Sequence, residues 1–137
     1  MANSAESGLI TKASRHSVPE TIERFETAVK AKGWMVFTRI DHAAAASAHG
    51  LALRPRTVVI FGNPQGGTPG MKAAPTLAID LPLKALVWED DQGKVWLTHN
   101  SADCLARHVY PRHGLSMNDS ARNSLVQFLD TVTDQAV

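Results

Sequence analysis

A continuous run of β-branched and apolar residues at positions 57–61 is followed at once by a stretch rich in glycine and proline, residues 62–70. A run of this kind is typical of a strand that is covered on both faces or lies at the centre of a sheet. Such a strand needs neighbours, so the chain has to build a sheet around it and deliver the glycine-rich stretch to the end of that sheet. Nine irregular residues in a small domain need a functional or structural reason.

Alternation of apolar and polar residues predicts further strands. They are expected at residues 9–15, 34–40, 84–89 and 94–99. The last two are joined by residues 90–93, which end in glycine and form a hairpin signal. Because hairpins and short connections dominate the predicted order, we expect an α+β fold with two layers, a mainly antiparallel sheet with helices on one face. All 137 residues are expected to form a single domain, with residues 1–7 as a flexible tail.

Helix boundaries are marked by residues that cap backbone groups. Ser17 lies three residues before a glutamate, the spacing of a capping box, and Gly33 can end the helix that begins there. Other helices are expected at residues 42–49, at 101–108 and from residue 118 or 119 onward. After the glycines, Thr68 is expected to cap a short helix that Pro75 stops, and residues 76–83 are expected to be extended.

Composition and charge exclude several classes of partner and cofactor. Lys and Arg number 14 against 13 Asp and Glu, so the net charge is +1, and neither nucleic acid nor an anionic membrane is expected as a partner. The single cysteine, Cys104, excludes a cysteine-based zinc site, and the six histidines form no metal-binding motif. No metal is therefore expected, and the residues identify no cofactor. With no secretory signal and no apolar run of the ~20 residues that a membrane span needs, a cytoplasmic protein is expected.

The glycine-rich stretch matches only the opening of a phosphate-binding loop. Thr68 and Pro69 stand where such a loop has lysine followed by serine or threonine, so a nucleotide-hydrolysing loop is disfavoured. Free backbone N–H groups ahead of a helix N-terminus still suit a small anion. The alternative is a wide structural turn in which glycines adopt positive φ, and the two interpretations are evenly balanced.

The preferred hypothesis is that the protein binds a small anionic molecule at this stretch. Backbone N–H groups would hold the anion, and an arginine would add paired hydrogen bonds to a carboxylate or phosphate. The predicted ligand-binding residues are Gly62, Asn63, Gly66, Gly67, Thr68, Lys72, Asp80 and Arg107.

Two Arg–His pairs, Arg107–His108 and Arg112–His113, permit a second hypothesis. Either histidine can serve as a general base with Asp80 as its orienting partner, which makes His108, His113 and Asp80 the catalytic candidates of an enzyme. The structural alternative is that these cationic groups bind terminal helix carbonyls. A third hypothesis is a structural dimerisation module in which the glycine-rich stretch packs against a partner chain.

The order and spacing of several motifs resemble the family catalogued as domain of unknown function 302, from about Gly8 onward. The motifs are Phe61-Gly62-Asn63-Pro64, Gly67-Thr68-Pro69 with Met71, Pro75, Asp80-Leu81-Pro82-Leu83-Lys84, Asp91-x-Gly93-Lys94 and Leu105-Ala106-Arg107-His108. The resemblance implies a β-α-β(4)-α fold, similar in topology to the TATA-binding-protein-like class without DNA binding, and a homodimer. It implies no activity. His99 stands where the family commonly has tyrosine, and either Arg–His pair can hold the family position.

Overall fold

The structure, a computed structural model, describes residues 7–137 and contains a five-stranded sheet that is antiparallel throughout. The strands are β1 (Leu9–Ser14), β2 (Met35–Asp41), β3 (Arg56–Gly62), β4 (Leu83–Glu89) and β5 (Val95–Asn100). Their order across the sheet is β1-β5-β4-β3-β2, so β1 and β2 are the edges. Of the expected flexible tail at 1–7, all but Ser7 lies outside the described residues.

Five α-helices connect and follow the strands. They are α1 (Val18–Ala31), α2 (His42–Ala48), α3 (Pro64–Ala73), α4 (Ala102–Cys104) and α5 (Asp119–Ala136). α4 continues into a π-helical turn, and 3-10 turns follow α3 and precede α5. The side chains of Ser17, Asp41 and Asn118 cap α1, α2 and α5. The α+β fold with a mainly antiparallel sheet is confirmed, and no helix between residues 7 and 137 has the length and apolar character to cross a membrane.

The core lies where α1 and α5 cover one face of the sheet. β3 shows why: its residues alternate between buried and half-buried, so one face of the strand points into the core. Phe25 of α1 meets Phe61 of β3 edge-to-face, with ring centroids 5.1 Å apart. Trp34 stacks on Phe128 of α5 at 3.6 Å. Burying each large apolar side chain contributes about 1.5–3 kcal/mol, so this aromatic cluster is a main tie between the helices and the sheet.

The edge strand β2 is held to α1 by a two-pronged ion pair. Arg39 donates from Nε to one carboxylate oxygen of Glu26 at 2.6 Å, and from a terminal nitrogen to the other at 2.8 Å. The hydrogen bond to Glu26 raises the pKa of Arg39, so the pair stays charged. Three apolar residues of β2 are exposed to solvent: Met35 and Phe37 are 47% exposed, and Ile40 is 46% exposed.

The glycine-rich stretch is helical, which corrects the expectation of an irregular loop with a helix capped at Thr68. α3 begins at Pro64, and the Asn63 side chain caps it by accepting from the Gln65 N–H at 3.2 Å. A capping residue followed by proline is a start signal for a helix. The sequence contains two such signals, Asn63-Pro64 and Thr68-Pro69, and the first one is used. Pro69 therefore lies inside α3, where it has no N–H to donate to the carbonyl of Gln65.

The segment after α3 gives a second correction. Pro75 stops α3 as predicted, but Pro75–Ile79 is a 3-10 turn rather than extended chain. Pro75 opens the turn, and the N–H of Asp80 closes it by donating to the carbonyl of Leu77 at 3.0 Å. Leu77 is fully buried beneath α3, because Gly70 leaves room for it: a Cβ at Gly70 would lie 2.8 Å from Leu77 Cδ2.

Candidate functional site

A cavity of about 360 Å³ lies beside the first turns of α3. This volume falls within the range of small-molecule sites in proteins. One wall contains Trp34, which precedes β2, and Phe37 of β2, which is about half exposed and lies at the rim. The glycines of α3 form the adjoining wall, so the predicted stretch does border a hollow.

The opposite wall is assembled from segments far apart in the sequence. The turn before β4 contributes Leu81 and Pro82, which are joined by a cis peptide bond. The π-helical turn after α4 contributes Leu105, followed by Tyr110. The N-terminal half of α5 contributes a third side, which includes Ser124.

The cavity lining is apolar and uncharged. Asn63, Tyr110 and Ser124 supply its polar side chains, and every other residue that lines it within the described part of the chain is apolar or glycine. Burial raises the pKa of Tyr110, so its phenol keeps its proton at neutral pH and can donate a hydrogen bond. Such a lining suits a mainly apolar molecule with one or two polar atoms.

The glycines in this wall differ in how closely an added Cβ would approach its neighbours. A Cβ on Gly67 would lie 3.2 Å from Leu81 Cδ1, and one on Gly62 would lie 3.4 Å from Phe37 Cε2. Gly66 differs, since a Cβ there would meet nothing closer than the Asn63 side chain at 3.7 Å. An added Cβ would therefore be tight only at Gly67, and at Gly62 and Gly66 it would make ordinary van der Waals contacts.

The backbone donors that the anion hypothesis depends on are used within α3. The Gln65 N–H binds the Asn63 side chain, and the N–H groups of Gly66 and Gly67 both donate to the Asn63 carbonyl at 3.0 Å. These three amides satisfy the helix N-terminus rather than facing a ligand.

The predicted ligand-binding residues divide into two groups. Gly62, Asn63, Gly66 and Gly67 line the cavity, whereas Thr68, Lys72, Asp80 and Arg107 do not. Thr68 and Lys72 are exposed on α3. The Nε of Arg107 lies 3.0 Å from a carboxylate oxygen of Asp103, one turn earlier, and His108 is exposed. The cavity and the predicted charged groups are therefore separate features.

Asp80 joins the second Arg–His pair rather than the first. His113 Nε2 donates to Asp80 Oδ2 at 2.5 Å, and Arg112 contacts both carboxylate oxygens at 3.1 and 3.2 Å. Thr76 bonds the other ring nitrogen of His113 at 2.8 Å. The hydrogen bond from His113, followed by the charge of Arg112, holds the pKa of Asp80 below its usual range. This cluster ties the turn after α3 to the turn before α5, and its members do not line the cavity.

A second, water-sized hollow of about 20 Å³ lies behind the cavity, at the end of β5. Asp80, Lys84, His99 and Asn100 are its polar members. His99 is 4% exposed, and its Nδ1 lies 2.9 Å from the carbonyl of Asn100. Its Nε2 is one of two buried side-chain nitrogens without a hydrogen-bond partner among residues 7–137; the other belongs to His16.

Sequence reasoning missed most of the cavity wall. Trp34, Tyr110 and Ser124 carry no local motif, because each is placed by the packing of a different element. Thr76, the partner of His113, lies in a segment that the sequence predicts to be extended, and no pattern there indicates the contact. His99 stood out only as a departure from the family pattern. For the residues that can be described, no cluster of three metal-ligating side chains forms.

Comparison with known proteins assigns the fold but no activity. The model of the family described as "Domain of unknown function DUF302" matches residues 10–132, which confirms the resemblance. A solved structure described as an uncharacterized conserved protein DUF302 from Bacillus stearothermophilus superposes with a TM-score of 0.77 at 18% identity, covering 94% of this chain and 98% of that one. At that identity the likeness establishes the fold alone.

Two relatives have higher sequence identity. Proteins of Brucella suis biovar 1 (strain 1330) and Brucella abortus biovar 1 (strain 9-941), both named "Fluoride-specific ion channel FluC 1", are 49% identical over 137 residues. The match covers 99% of this chain but 52% and 49% of those proteins. The chain thus spans about half the length of the curated relatives it matches.

The neutral, buried His99 predicts a loss of stability in mild acid. Burial lowers the pKa of His99 below 6.5, so below that pH the unfolded chain binds a proton that the native chain does not. Native stability is therefore complete above pH 6.5 and falls as the pH drops towards the lower native pKa. The free energy of unfolding of His99→Leu should decrease less between pH 7 and pH 5 than that of the wild type, measured by urea denaturation.

The matched control is His49→Leu, because His49 is exposed at the end of α2. This variant should keep the pH dependence of the wild type. Asp80 does not interfere, since its lowered pKa affects stability only below about 3.8. Equal slopes for the wild type and His99→Leu would contradict the prediction.

Proposed function

Since this chain belongs to the DUF302 family, whose description names no activity, we propose a function from its geometry: it binds a small, largely apolar molecule in the cavity beside α3. The observation that supports this proposal is the 360 Å³ cavity with its uncharged lining. Apolar contact supplies the affinity, and Asn63, Tyr110 and Ser124 orient the polar atoms of the ligand.

The charge of the ligand separates this proposal from the anionic ligand expected from the sequence. An anion in the cavity would find neither Lys72 nor Arg107 beside it, because neither residue lines the cavity. It would also find the amides of Gly66 and Gly67 already bonded. Leaving an anion without such partners in apolar surroundings is costly, so we propose a neutral ligand.

The acid–base enzyme is a weaker candidate on this geometry. Asp80 and His113 have the direct contact that such a mechanism requires. However, Arg112 pairs with both oxygens of the same carboxylate, and the His113 side chain is 6% exposed. We therefore assign the cluster to holding two cavity-bearing segments together.

Filling the cavity from α5 tests the proposed function. Ser124 lines the cavity and is exposed to solvent. Ser124→Phe should therefore fold normally, and its ring should fill part of the cavity. The wild type should bind neutral probes such as hexanol, benzyl alcohol or indole more tightly than the matched anions hexanoate and benzoate. Ser124→Phe should bind the neutral probes at least about tenfold more weakly, measured by NMR titration.

Asn123→Phe is the matched control, because Asn123 is the preceding exposed residue of α5 and does not line the cavity. It should bind the probes as the wild type does. Failure of every neutral probe to bind the wild type would refute the proposal. A preference for benzoate over benzyl alcohol would restore the anionic ligand.

We also propose that the chain forms a homodimer through β2. This edge strand presents unpaired backbone groups beside the exposed side chains of Met35, Phe37 and Ile40, the combination that favours strand-to-strand association. Phe37 lies at the cavity rim as well, so the interface would border the ligand site.

Ile40→Lys should convert the dimer to a monomer, because it places a charge among the exposed apolar side chains of this edge strand, and Ile40 does not line the cavity. Light scattering coupled to size exclusion measures the change. Val126→Lys is the control, since Val126 is a similarly exposed apolar residue on α5. A wild type that stays monomeric at millimolar concentration would contradict the dimer.

We propose a second role, action together with an ion channel, because both Brucella relatives are named as fluoride-specific channels. In each relative, the region that is 49% identical to this chain is about half of a longer protein. A domain retained beside a channel in one chain can bind a ligand that regulates it.

Removing the matching region from the Brucella suis relative should change its fluoride flux in proteoliposomes. Inserting this chain in place of the removed region should restore the flux, whereas an unrelated domain of the same size should not. Flux that is the same with and without the matching region would end this proposal.

A further inference from the structure

We propose that the small hollow at the end of β5 is a hydroxyl site, in which a hydroxyl group of the cavity ligand donates a hydrogen bond to Nε2 of His99. This inference rests on the proposed ligand-binding function and adds the chemical class of the ligand, a small apolar alcohol or phenol. It follows from three features: an acceptor without a donor, polar neighbours around a water-sized space, and a wall shared with the cavity.

The tautomer of His99 is fixed by its neighbour. A carbonyl oxygen only accepts hydrogen bonds, so the contact between His99 Nδ1 and the carbonyl of Asn100 at 2.9 Å requires the proton to be on Nδ1. In the neutral ring Nε2 is then a bare acceptor. Burial keeps the ring neutral by lowering its pKa. A buried acceptor that stays unbonded is unfavourable, so Nε2 requires a donor.

The space beside His99 fits one oxygen atom with its hydrogens. The hollow holds about 20 Å³, and a water-sized group needs roughly 10–15 Å³ with two to four polar partners. Asp80, Lys84 and Asn100 are the other polar members of the hollow. Lys84 can donate to the oxygen while His99 accepts from it, a combination that suits a hydroxyl group and disfavours an ammonium ion.

The charges around the hollow are balanced rather than anion-selective. Asp80 contributes a carboxylate that Arg112 and His113 already engage, and Lys84 is exposed to solvent on its outer side. Lys12 of β1 and Asp130 of α5 act on the ring of His99 with opposite signs. A neutral polar group is therefore the best electrostatic match.

The hollow adjoins the cavity through three shared residues. Pro82, Leu83 and Leu105 line both spaces, so the polar hollow adjoins the apolar cavity at these side chains. A ligand with an apolar body in the cavity and a hydroxyl end directed between these side chains would satisfy His99. Asn63 and Tyr110 would then contact other parts of the ligand.

Matched pairs of compounds test the hydroxyl site. Benzyl alcohol and toluene differ by the hydroxyl, and the wild type should bind the alcohol about tenfold more tightly, as one buried hydrogen bond predicts. His99→Leu should bind both compounds with similar affinity. Tyr110→Phe, the competing variant, should keep the preference for the alcohol, because it leaves Nε2 of His99 in place. NMR titration of the full chain measures all three proteins.

Each outcome decides between the two proposals. If the wild type binds both compounds equally, the hollow is a hydration site only and the hydroxyl site is wrong, while the cavity stands. If neither compound binds, the proposed ligand-binding function fails as well. If the preference for the alcohol persists in His99→Leu and disappears in Tyr110→Phe, the hydroxyl is bound by Tyr110 and the assignment to His99 is overturned.

A direct measurement on the wild type covers the case in which His99→Leu does not fold. The ring ¹⁵N signals of His99 should show a protonated Nδ1 and a bare Nε2, and benzyl alcohol should shift the Nε2 signal whereas toluene should not. A proton on Nε2 in the free protein, or identical effects of the two compounds, would overturn the hydroxyl site.

Discussion

The stacking of Trp34 on Phe128 is the contact on which the rest of the site depends. Their ring centroids are 3.6 Å apart, and Phe128 also lies parallel to Phe61, so one aromatic column joins α5 to the end of β3. The column completes the core at the point where the chain leaves the sheet at Gly62. Beyond it the cavity begins, with Trp34 among its lining residues.

Three ion pairs join elements of the fold outside that aromatic column. Arg39 ties β2 to α1 through Glu26, and Lys12 ties β1 to the end of α5 through Asp134. Asp80 joins the turn after α3 to the turn before α5. Pairing of this kind fixes the segments without placing a charge in the cavity, whose lining is uncharged.

Local signals predicted the fold well and the site only partly. Helices opened by Ser17 and Asn118 were predictable, since capping is a contact within four residues. The start of α3 was predicted wrongly because Asn63–Pro64 and Thr68–Pro69 are competing start signals, and no local pattern shows that the first one is used. The second Arg–His pair was among the candidates, but only folding brings Asp80 to residues more than 30 positions away.

The same distinction explains the two sides of the cavity. Gly62, Gly66 and Gly67 were identified because glycine-rich backbone is recognisable in sequence. Tyr110 and Ser124 were not, because an apolar pocket has no motif: its members are ordinary residues until separate elements meet. The N–H groups of Gly66 and Gly67 are bonded within α3, so these glycines border the cavity without donating hydrogen bonds into it.

Gly66 is a position where the size of the cavity can change, because this residue both belongs to α3 and lines the cavity. A Cβ added there would make ordinary van der Waals contact with the Asn63 side chain at 3.7 Å, and replacing a helical glycine by alanine stabilises a protein by about 0.5–1 kcal/mol. Because Gly66 lines the cavity, its replacement by alanine would reduce the cavity volume while stabilising α3.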